Sequence, residues 1–286
     1  MTALLNDMLD AVNEYLSESA GLYFSQMRYH DLARGIRNSA SELGYENVIS
    51  CAEDILAGKL SSADLQIVVQ NLTVGETYFF RDPAVFMAME EKFLPELARR
   101  KRGKKELRIW SAGCSTGEEP YSIAISLLRA IPELNSWSLR LFASDINTRS
   151  LEKALAACYG SWSFRTTPED FLDLYFQSRI SGDVQEHVLK ERVRKLVQFD
   201  YLNLAEDLYP SAKTNTEEMD IIFCRNVLIY FTQQKCKFIA DRLSDCLVPG
   251  GLLVTSASDS SRFISSLPQG LKRLSTNMFL KEASNK

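Results

Sequence analysis

Histidine, paired cysteines and long apolar runs are all scarce in this chain of 286 residues. It has two histidines, and its six cysteines form no Cys-x-x-Cys pair, so we expect neither a metal site nor a disulfide framework. No apolar run reaches the roughly 18 residues needed to span a bilayer, and the N-terminus carries Asp7 and Asp10 with no basic leader. We therefore expect a cytoplasmic protein without membrane insertion. A net charge of −4 gives no reason to expect a nucleic-acid partner, and we expect a monomer.

The composition suits a globular protein of two domains, since 45% of the residues are hydrophobic and the chain exceeds one typical domain. Residues 1–71 show apolar positions at helical spacing, and glycines 21, 44 and 58 divide them into segments. This region carries four Lys or Arg against ten Asp or Glu, a net charge of −6. We predict a small, acidic helical domain.

The stretch LRIWSAGCSTGEEPYS at residues 107–122 joins an apolar segment to a helix-like one through a turn of small residues. Gly113 and Gly117 allow a positive φ and close backbone approach. A phosphate-binding turn would leave the helix N-terminus to an anion, whereas here Glu118 and Glu119 occupy it. Two carboxylates favour a ligand that is cationic or rich in hydroxyl and amino groups, such as S-adenosylmethionine (SAM). The alternative is an ordinary turn with acids placed to suit the helix dipole.

A carboxylate ends the next apolar run. Asp145 follows LRLFAS at residues 139–144 and precedes a helix-like segment from about 148 to 157. An acid at the carboxyl end of the second strand of a βαβ unit is where doubly wound folds bind a ribose hydroxyl pair. The alternative is that Asp145 caps the helix.

The segment MDIIFCRNVLIYF at residues 219–231 ends an apolar strand abruptly in Arg225 and Asn226. Polar groups at that edge face the crevice where such sheets bind ligands. The alternative is that Asn226 is a turn residue and Tyr230 a core aromatic.

From residue 107 onward, strand and helix patterns alternate, which predicts a mostly parallel sheet with helices on both faces. LLVTSA at 252–257, after a Pro-Gly-Gly turn, and NMFLK at 277–281 are interpreted as two closing strands. Residues of about 176–199 interrupt the alternation with short alternating patterns.

These segments together resemble the CheR-type chemoreceptor glutamate O-methyltransferases. The matching blocks, in the family's order, are LTVGETYFFRD (72–82), RIWSAGCSTGEEPYSIAI (108–125), ASDINTRSLEKA (143–154) and DIIFCRNVLIYF (220–231). The resemblance implies an α/β fold with a helical N-terminal domain at 1–71 and a Rossmann-like SAM methyltransferase domain at 72–286. A small antiparallel β subdomain is implied at about 176–199.

The implied activity is SAM-dependent methylation of glutamate γ-carboxylates on the methylation-region helices of chemoreceptors, in chemotaxis-type adaptation, with S-adenosylhomocysteine as the product. A free glutamate has a pKa of about 4.3, so the substrate is ionised at neutral pH and needs no general base. The scarcity of histidine is therefore compatible with the reaction.

The resemblance also assigns roles to individual residues. Thr77 and Arg81 match positions at the methionine end and substrate side of the cofactor, Glu118 its amino group, and Asp145 its ribose. The other cofactor positions are Gly75 and Gly113, Asn203 and Leu204 beside the adenine, and Asn226 and Val227 near the methionine portion. Arg81 and Tyr230 are the residues we expect to orient the substrate carboxylate. The alternative for Arg81 is a surface ion pair with Asp82 or Glu76.

Two departures from the family pattern stand out. Gly75-Glu76-Thr77 replaces an Asn-Leu-Thr sequence of enteric-type members, so one cofactor contact is lost or passes to the backbone. QSRISGDVQEHV at 177–188 lacks the glycine-rich loop that grips a receptor's C-terminal pentapeptide, so we expect no such tether. Arg34 and Arg37 lie on the family's receptor-facing helix and are the expected docking residues.

Other functions remain open from the sequence. A methyltransferase of this fold could modify another protein or a small molecule, or the chain could be a non-catalytic receptor-binding module. An N-methyltransferase would favour Asn-Pro-Pro-Tyr where this chain has Asn226 followed by Val-Leu-Ile. A nicotinamide dehydrogenase would favour Gly-x-Gly-x-x-Gly in the first turn, which is not present.

Overall fold

The structure is a computed structural model that describes residues 2–73, 75–167, 169–181 and 184–283. Val74 of the block at 72–82 and residues 182 and 183 of the predicted subdomain lie outside the described residues. None of the helices within these ranges has the length and apolar character that a membrane span requires.

The N-terminal region is a bundle of four helices: α1 (Thr2–Ser19), α2 (Tyr29–Glu42), α3 (Val48–Leu56) and α4 (Ser62–Leu72). Local sequence fixes two of the helix starts. The Asn47 side chain accepts a hydrogen bond from the Ser50 amide, and Ser61 forms a capping box with Asp64. The apolar faces meet in one core that includes Leu16, Ile36, Ile55 and Val68.

The remaining helices and strands alternate along the chain. The helices are α5 (Pro83–Ala88), α6 (Leu94–Lys101), α7 (Glu118–Ala130), α8 (Thr148–Ala156), α9 (Glu169–Tyr175), α10 (Glu191–Arg194), α11 (Gln233–Cys246) and α12 (Ala257–Ile264). The strands are β1 (Glu106–Ala112), β2 (Ser138–Asp145), β3 (Cys158–Tyr159), β4 (Phe176–Ser181), β5 (Val184–Leu189), β6 (Val197–Tyr201), β7 (Met219–Cys224), β8 (Leu247–Val254), β9 (Leu271–Arg273) and β10 (Met278–Lys281).

In the described residues, the main sheet has seven strands in the order β6-β2-β1-β7-β8-β10-β9. The first five are parallel to one another, and β10 runs antiparallel to β8 and β9. Alternate side chains of β1 enter two cores: Leu107 and Ile109 pack with α7, and Trp110 and Ala112 pack with α11. The predicted fold class is confirmed, with helices covering both faces of the sheet.

A second sheet of three short antiparallel strands has the order β3-β5-β4. It corresponds to the predicted subdomain, but the end of that range differs. Val197 and the residues after it pair with β2 as an edge strand of the main sheet. Alternation alone does not tell which sheet a short strand joins.

The closing strands also differ in their limits. The Pro249-Gly250-Gly251 segment, expected to be a turn, lies inside β8, where the pairing with β7 shifts register. Helix α12 begins at Ala257, so the last residues of the predicted strand belong to its cap, with Ser256 accepting from the Asp259 amide.

The helical bundle packs against the carboxyl edge of the main sheet. The Tyr23 amide donates to the Tyr230 carbonyl at 2.7 Å, and the Asn147 side chain donates to Thr73 Oγ1 at 2.8 Å. Ion pairing between Glu42 and Arg149 adds a contact at the periphery. The edge where parallel strands deliver their polar residues is therefore roofed by the N-terminal region.

Candidate active site

A pocket of about 920 Å³, counting its open mouth, lies between the carboxyl ends of β1, β2 and β7 and the helical bundle. Its position is the one at which open parallel sheets bind ligands. The lining residues are Ala20, Leu22, Thr73, Gly75, Glu76, Thr77, Arg81, Gly113, Cys114, Ser115, Glu119, Asp145, Ile146, Asn147, Ser150, Leu202, Asn203, Leu204, Arg225, Asn226, Val227, Tyr230 and Phe231.

The first turn, which joins β1 to α7 at residues 113–117, forms the floor of the pocket. The amides of Gly113 and Cys114 both donate to the Ser144 carbonyl, at 2.8 and 2.9 Å, which ties the turn to the end of β2. Gly113 has a φ of 78°, and a Cβ there would lie 2.4 Å from Val227 Cγ2. The glycine is therefore required both by its conformation and by the approach of Val227.

Asp145 is held with its carboxylate at this floor. Its two oxygens accept from the backbone amides of Ser115, at 2.7 Å, and Asn147, at 2.8 Å. The residue that caps α8 is Asn147, whose side chain accepts from the Ser150 amide. Burial raises the pKa of Asp145, and the backbone amides oppose that shift. The structure thus separates the two sequence interpretations: Asn147 caps the helix and Asp145 faces the pocket.

The two adjacent glutamates of α7 point to different places. Glu118 is not among the lining residues, and its predicted contact with the amino group of the cofactor stays a prediction. Its buried carboxylate accepts from Thr116 Oγ1 at 2.6 Å and Ser163 Oγ at 2.9 Å, so it anchors the turn at 161–164. Glu119 lines the pocket and accepts from Ser111 Oγ at 2.8 Å. Burial raises the pKa of both carboxyl groups.

Arg225, one of the two polar residues that the sequence places at the ligand-binding edge, lies in the pocket lining. Its guanidinium is buried and donates to Glu119 Oε2 at 3.1 Å and to the Arg81 carbonyl at 2.8 Å. It also lies 3.6 Å from an Asp82 carboxylate oxygen. The signal in the sequence for these contacts was an arginine directly after an apolar strand. A cation buried at that position needs a nearby acid to compensate its charge. Arg225 thereby clamps the segment at 81–82 to the first helix of the site.

The segment at 75–81 forms one side of the pocket and contributes Gly75, Glu76, Thr77 and Arg81 to its lining. A Cβ on Gly75 would lie 3.0 Å from Ser115 Oγ, so this segment closes directly over the first turn. The Arg81 guanidinium donates to the Glu76 carbonyl at 2.6 Å. It faces the pocket, whereas the acid beside it, Asp82, is paired with Arg225.

Asn203 and Leu204 lie opposite, where the segment after β6 meets the bundle. Asn203 is buried; its side chain accepts from the Ala205 amide at 2.9 Å and donates to Glu206 at 3.1 Å. Leu22 and Ala20 of the bundle complete this wall. An apolar slot results, and the sequence gave no signal that residues 20 and 22 would take part in it.

The turn after β7 brings Asn226, Val227 and Tyr230 into the lining. Asn226 adopts a left-handed conformation with a φ of 59°, so it is both a turn residue and a pocket residue. The buried carboxylate of Asp259 accepts from the backbone amides of Asn226 and Ile229 and thereby fixes the turn. Asp259 is a supporting residue that the sequence analysis did not identify.

Comparison with known proteins bears on the chemistry of this pocket. Residues 75–272 match the family described as CheR methyltransferase, SAM binding domain. The chain belongs to this family. It is 33% identical over 254 residues to chemotaxis protein methyltransferase 2 of Vibrio cholerae serotype O1, covering 89% of this chain and 85% of that one. It is 38% identical over 208 residues to the chemotaxis protein methyltransferase of Salmonella typhimurium, covering 72% of this chain and 67% of that one.

Membership of the CheR family confirms the predicted SAM-dependent methyltransferase activity and its cofactor. The residues present fit SAM. Glu119 offers a carboxylate for a cationic group, Asp145 offers one for hydroxyl groups, and Leu22 and Leu204 offer an apolar surface for a base. Ser115 Oγ is buried without a hydrogen-bond partner among the described residues, as expected of a group that a ligand satisfies.

Proposed function

We propose that this CheR-family enzyme transfers the methyl group of SAM to glutamate side-chain carboxylates on the methylation-region helices of chemoreceptors. The observation that carries the proposal is the combination, in one pocket, of acidic residues suited to the cofactor with Arg81 and Tyr230, which suit a carboxylate. The names of the relatives, chemotaxis protein methyltransferases, support the same substrate class.

Each wall of the pocket takes one part of the cofactor in this proposal. Asp145 binds the ribose hydroxyls, and Glu119 replaces Glu118 as the partner of the amino group. The apolar slot at Asn203 and Leu204 holds the adenine. Gly75, Thr77, Asn226 and Val227 surround the methionine portion, and Gly113 allows it to approach the floor.

The chemical demands on the protein are positioning and exclusion of water. Bound SAM supplies an electrophilic methyl group. Since a glutamate carboxylate is ionised at neutral pH, no side chain has to remove a proton from it. Arg81 can hold the carboxylate through charge-assisted hydrogen bonds and Tyr230 can donate to it through its hydroxyl group. Holding the reacting atoms at about 3 to 3.5 Å in the correct orientation accounts for much of the rate in such a reaction.

Receptor docking is proposed to use the exposed face of α2. Arg34 and Arg37 are both exposed there, three residues apart on neighbouring turns. Arg34 donates to Asp31 at 2.6 Å, so a receptor carboxylate must compete with an intramolecular one. We still expect no pentapeptide tether on the small sheet.

The test is transfer of labelled methyl from SAM to purified cytoplasmic receptor fragments, followed by base treatment. We expect a base-labile label, released as methanol, because carboxyl esters hydrolyse in base. The matched control is a fragment whose methylation-region glutamates are replaced by alanine, which should remain unlabelled. A base-stable label, or binding of SAM without any transfer to receptor fragments, would contradict the proposed substrate.

A further inference from the structure

Trp162 is an exposed tryptophan in the turn at 161–164, which follows β3. Its side chain is large and apolar, and tryptophan is on average highly buried, yet this residue is 70% exposed. The other two tryptophans of the chain differ from it, since Trp110 is buried and Trp137 is half-buried. Exposed aromatic rings of this size are enriched where proteins bind one another.

The backbone around Trp162 is tied to the segment that forms one side of the pocket. The Phe79 amide donates to the Ser163 carbonyl at 2.9 Å, and Thr166 Oγ1 donates to the Phe79 carbonyl at 3.2 Å. The Phe79 ring is buried and stacks on Phe164, with 5.1 Å between the ring centres. Trp162 is therefore presented on a fixed backbone, which lowers the entropy cost of binding through it.

A series of rings and guanidinium groups connects Trp162 to the pocket. The Arg165 guanidinium carbon lies 4.5 Å from the centre of the Trp162 ring and 3.7 Å from that of Tyr78. The Arg81 guanidinium carbon lies 5.7 Å from the same tyrosine ring. Arg81 lines the pocket and is the residue expected to hold the substrate carboxylate. From Trp162 to Arg81 the series is thus no longer than about three turns of an α-helix, whose pitch is about 5.4 Å.

The charges along this series suit an acidic partner. Arg165 and Arg81 contribute two cations. Arg165 pairs at 3.4 Å with Glu76, whose side chain is 62% exposed. Because an exposed ion pair contributes little free energy, a carboxylate of a binding partner can take the place of Glu76. The surface therefore combines an apolar ring with a cation that an acidic helix can use.

We propose that Trp162 and Arg165 form a docking surface for the receptor helix that carries the methylated glutamate. The glutamate enters the pocket toward Arg81, and an apolar side chain one or two turns away on the same helix packs on the Trp162 ring. Residues three, four or seven apart lie on one face of a helix, so both contacts can form at once. The inference rests on the proposed function, because it takes a glutamate on a helix as the substrate.

Substitutions of Trp162 test this surface through the KM for a receptor fragment. Trp162→Ala should raise that KM about tenfold, with a smaller effect on kcat and a Kd for SAM within about twofold, because the ring contacts the receptor and not the cofactor. Trp162→Tyr keeps an aromatic ring and should recover most of the affinity. An unchanged receptor KM in Trp162→Ala would overturn the inference.

Leu267→Ala is the control for the loss of an exposed apolar side chain. Leu267 precedes β9, which runs in the same direction as the parallel strands, so it lies at the amino edge of the sheet, away from the pocket. The receptor KM of this variant should stay within about twofold of the wild type. An equal rise in Leu267→Ala and Trp162→Ala would overturn the inference, because the effect would not depend on the site.

Fluorescence gives a readout that needs no methyl transfer. Since Trp110 is buried and Trp137 half-buried, quenching by acrylamide reports mainly on Trp162, whose signal is identified by its loss in Trp162→Phe. A cytoplasmic receptor fragment should protect this signal from quenching. Methylation of the fragment without protection would overturn the inference and leave the proposed function standing. Protection without methylation would instead overturn the proposed substrate. Protection that develops when the enzyme alone is concentrated would show that a second copy covers Trp162, which would also overturn the inference.

Discussion

The sheet side and the bundle side of the pocket are lined by residues of different chemical kinds. The sheet side carries residues with a specific chemical requirement, such as Gly113, Asp145 and Asn226, each at the carboxyl end of a strand. The bundle side contributes Ala20 and Leu22, which are ordinary apolar residues of a helical domain. The difference suggests a division of labour in which the sheet binds the cofactor and the bundle roofs the site and presents it to the substrate. The predictions below test that division, beginning with the largest expected effect.

The sheet side should tolerate no added bulk at its floor. Gly113→Val puts a side chain at a φ of 78° and within 2.4 Å of Val227 Cγ2. We expect the strain and overpacking to cost more than about 2 kcal/mol of stability, and SAM binding to weaken because the turn or Val227 must move out of its place in the pocket. The measurement is calorimetric titration with SAM, alongside thermal unfolding.

Gly44→Val is the matched control for the glycine. Gly44 has the same φ of 78°, but a Cβ there meets nothing within 4 Å. It therefore carries the backbone strain without the collision. Equal SAM affinity in the two variants would show that the approach of Val227 to the first turn is not part of the binding site.

Substitutions of the two adjacent glutamates of α7 should affect different properties, SAM affinity in one case and stability in the other. Glu119→Gln removes the pocket carboxylate and leaves Asp82 as the remaining charged partner of Arg225, so we expect SAM affinity to fall by about 2 kcal/mol, within the range for hydrogen bonds to charged groups. Glu118→Gln disturbs the contacts to Thr116 and Ser163 instead and should mainly lower the melting temperature. The measurements are calorimetric titration with SAM and thermal unfolding of both variants. A loss of SAM affinity in Glu118→Gln, with only a lower melting temperature in Glu119→Gln, would indicate that Glu118 binds the amino group.

This pair of residues also shows where sequence reasoning stops. That β1, β2 and β7 would deliver Gly113, Asp145 and Asn226 to one place could be predicted, because parallel strands end at a common edge. Which of two adjacent glutamates faces that edge depends on how the first turn of α7 is rotated, and the partners that fix this rotation, Ser163 and Arg225, come from distant segments. Spacing within the motif does not contain that information.

The bundle wall was not predictable for a different reason. Leu22 lies in the connection between α1 and α2, and its apolar character does not show which residues it packs against. The docking of the bundle depends on polar contacts across it, such as Asn147 to Thr73, and on the backbone contact of Tyr23 to Tyr230. Neither has a local sequence signature.

Asp145 should make a smaller and pH-dependent contribution. We expect Asp145→Ala to weaken SAM binding by about 1 to 3 kcal/mol through lost hydrogen bonds to a charged group. Because burial raises the pKa of Asp145, protonation on lowering the pH should begin to weaken binding above the pH at which an exposed aspartate titrates. Calorimetric titration at several pH values measures both effects.

The effect of Asp145 protonation on folding stability has the opposite sign to its effect on SAM binding. A carboxyl group whose pKa is higher in the folded than in the unfolded protein opposes folding at neutral pH, and that cost disappears as the pH falls. Titration of Asp145 therefore weakens binding without itself destabilising the fold. If the affinity of Asp145→Asn varied with pH as the wild type does, the titrating group would lie elsewhere, with Glu119 the first candidate.

The smallest effect should come from the outer face of the bundle, where charges are exposed and screened. Reversing Arg34 and Arg37 to Glu should raise the receptor KM several-fold and change SAM affinity by less than about twofold, since exposed charges act mainly on encounter. The wild-type KM should itself rise with salt concentration. Steady-state methylation of a receptor fragment at two salt concentrations measures both.

The basic run RRKRGKK at residues 99–105 is the alternative surface for receptor docking. Its position also makes it the matched control for the Arg34 and Arg37 variant. Its Lys101 pairs with Asp220 near the start of β7, and Arg100 contacts the Gly250 carbonyl, so the run lies toward the amino edge of the sheet, away from the pocket. Arg102 and Lys104 are exposed there, and their reversal to Glu makes the same change in net charge as the Arg34 and Arg37 variant. We expect that control to leave the receptor KM within about twofold, because like changes in charge should differ only by their distance from the substrate. A larger rise of the receptor KM in the control than in the Arg34 and Arg37 variant would place receptor docking at the opposite edge of the sheet. The bundle would then only cover the pocket.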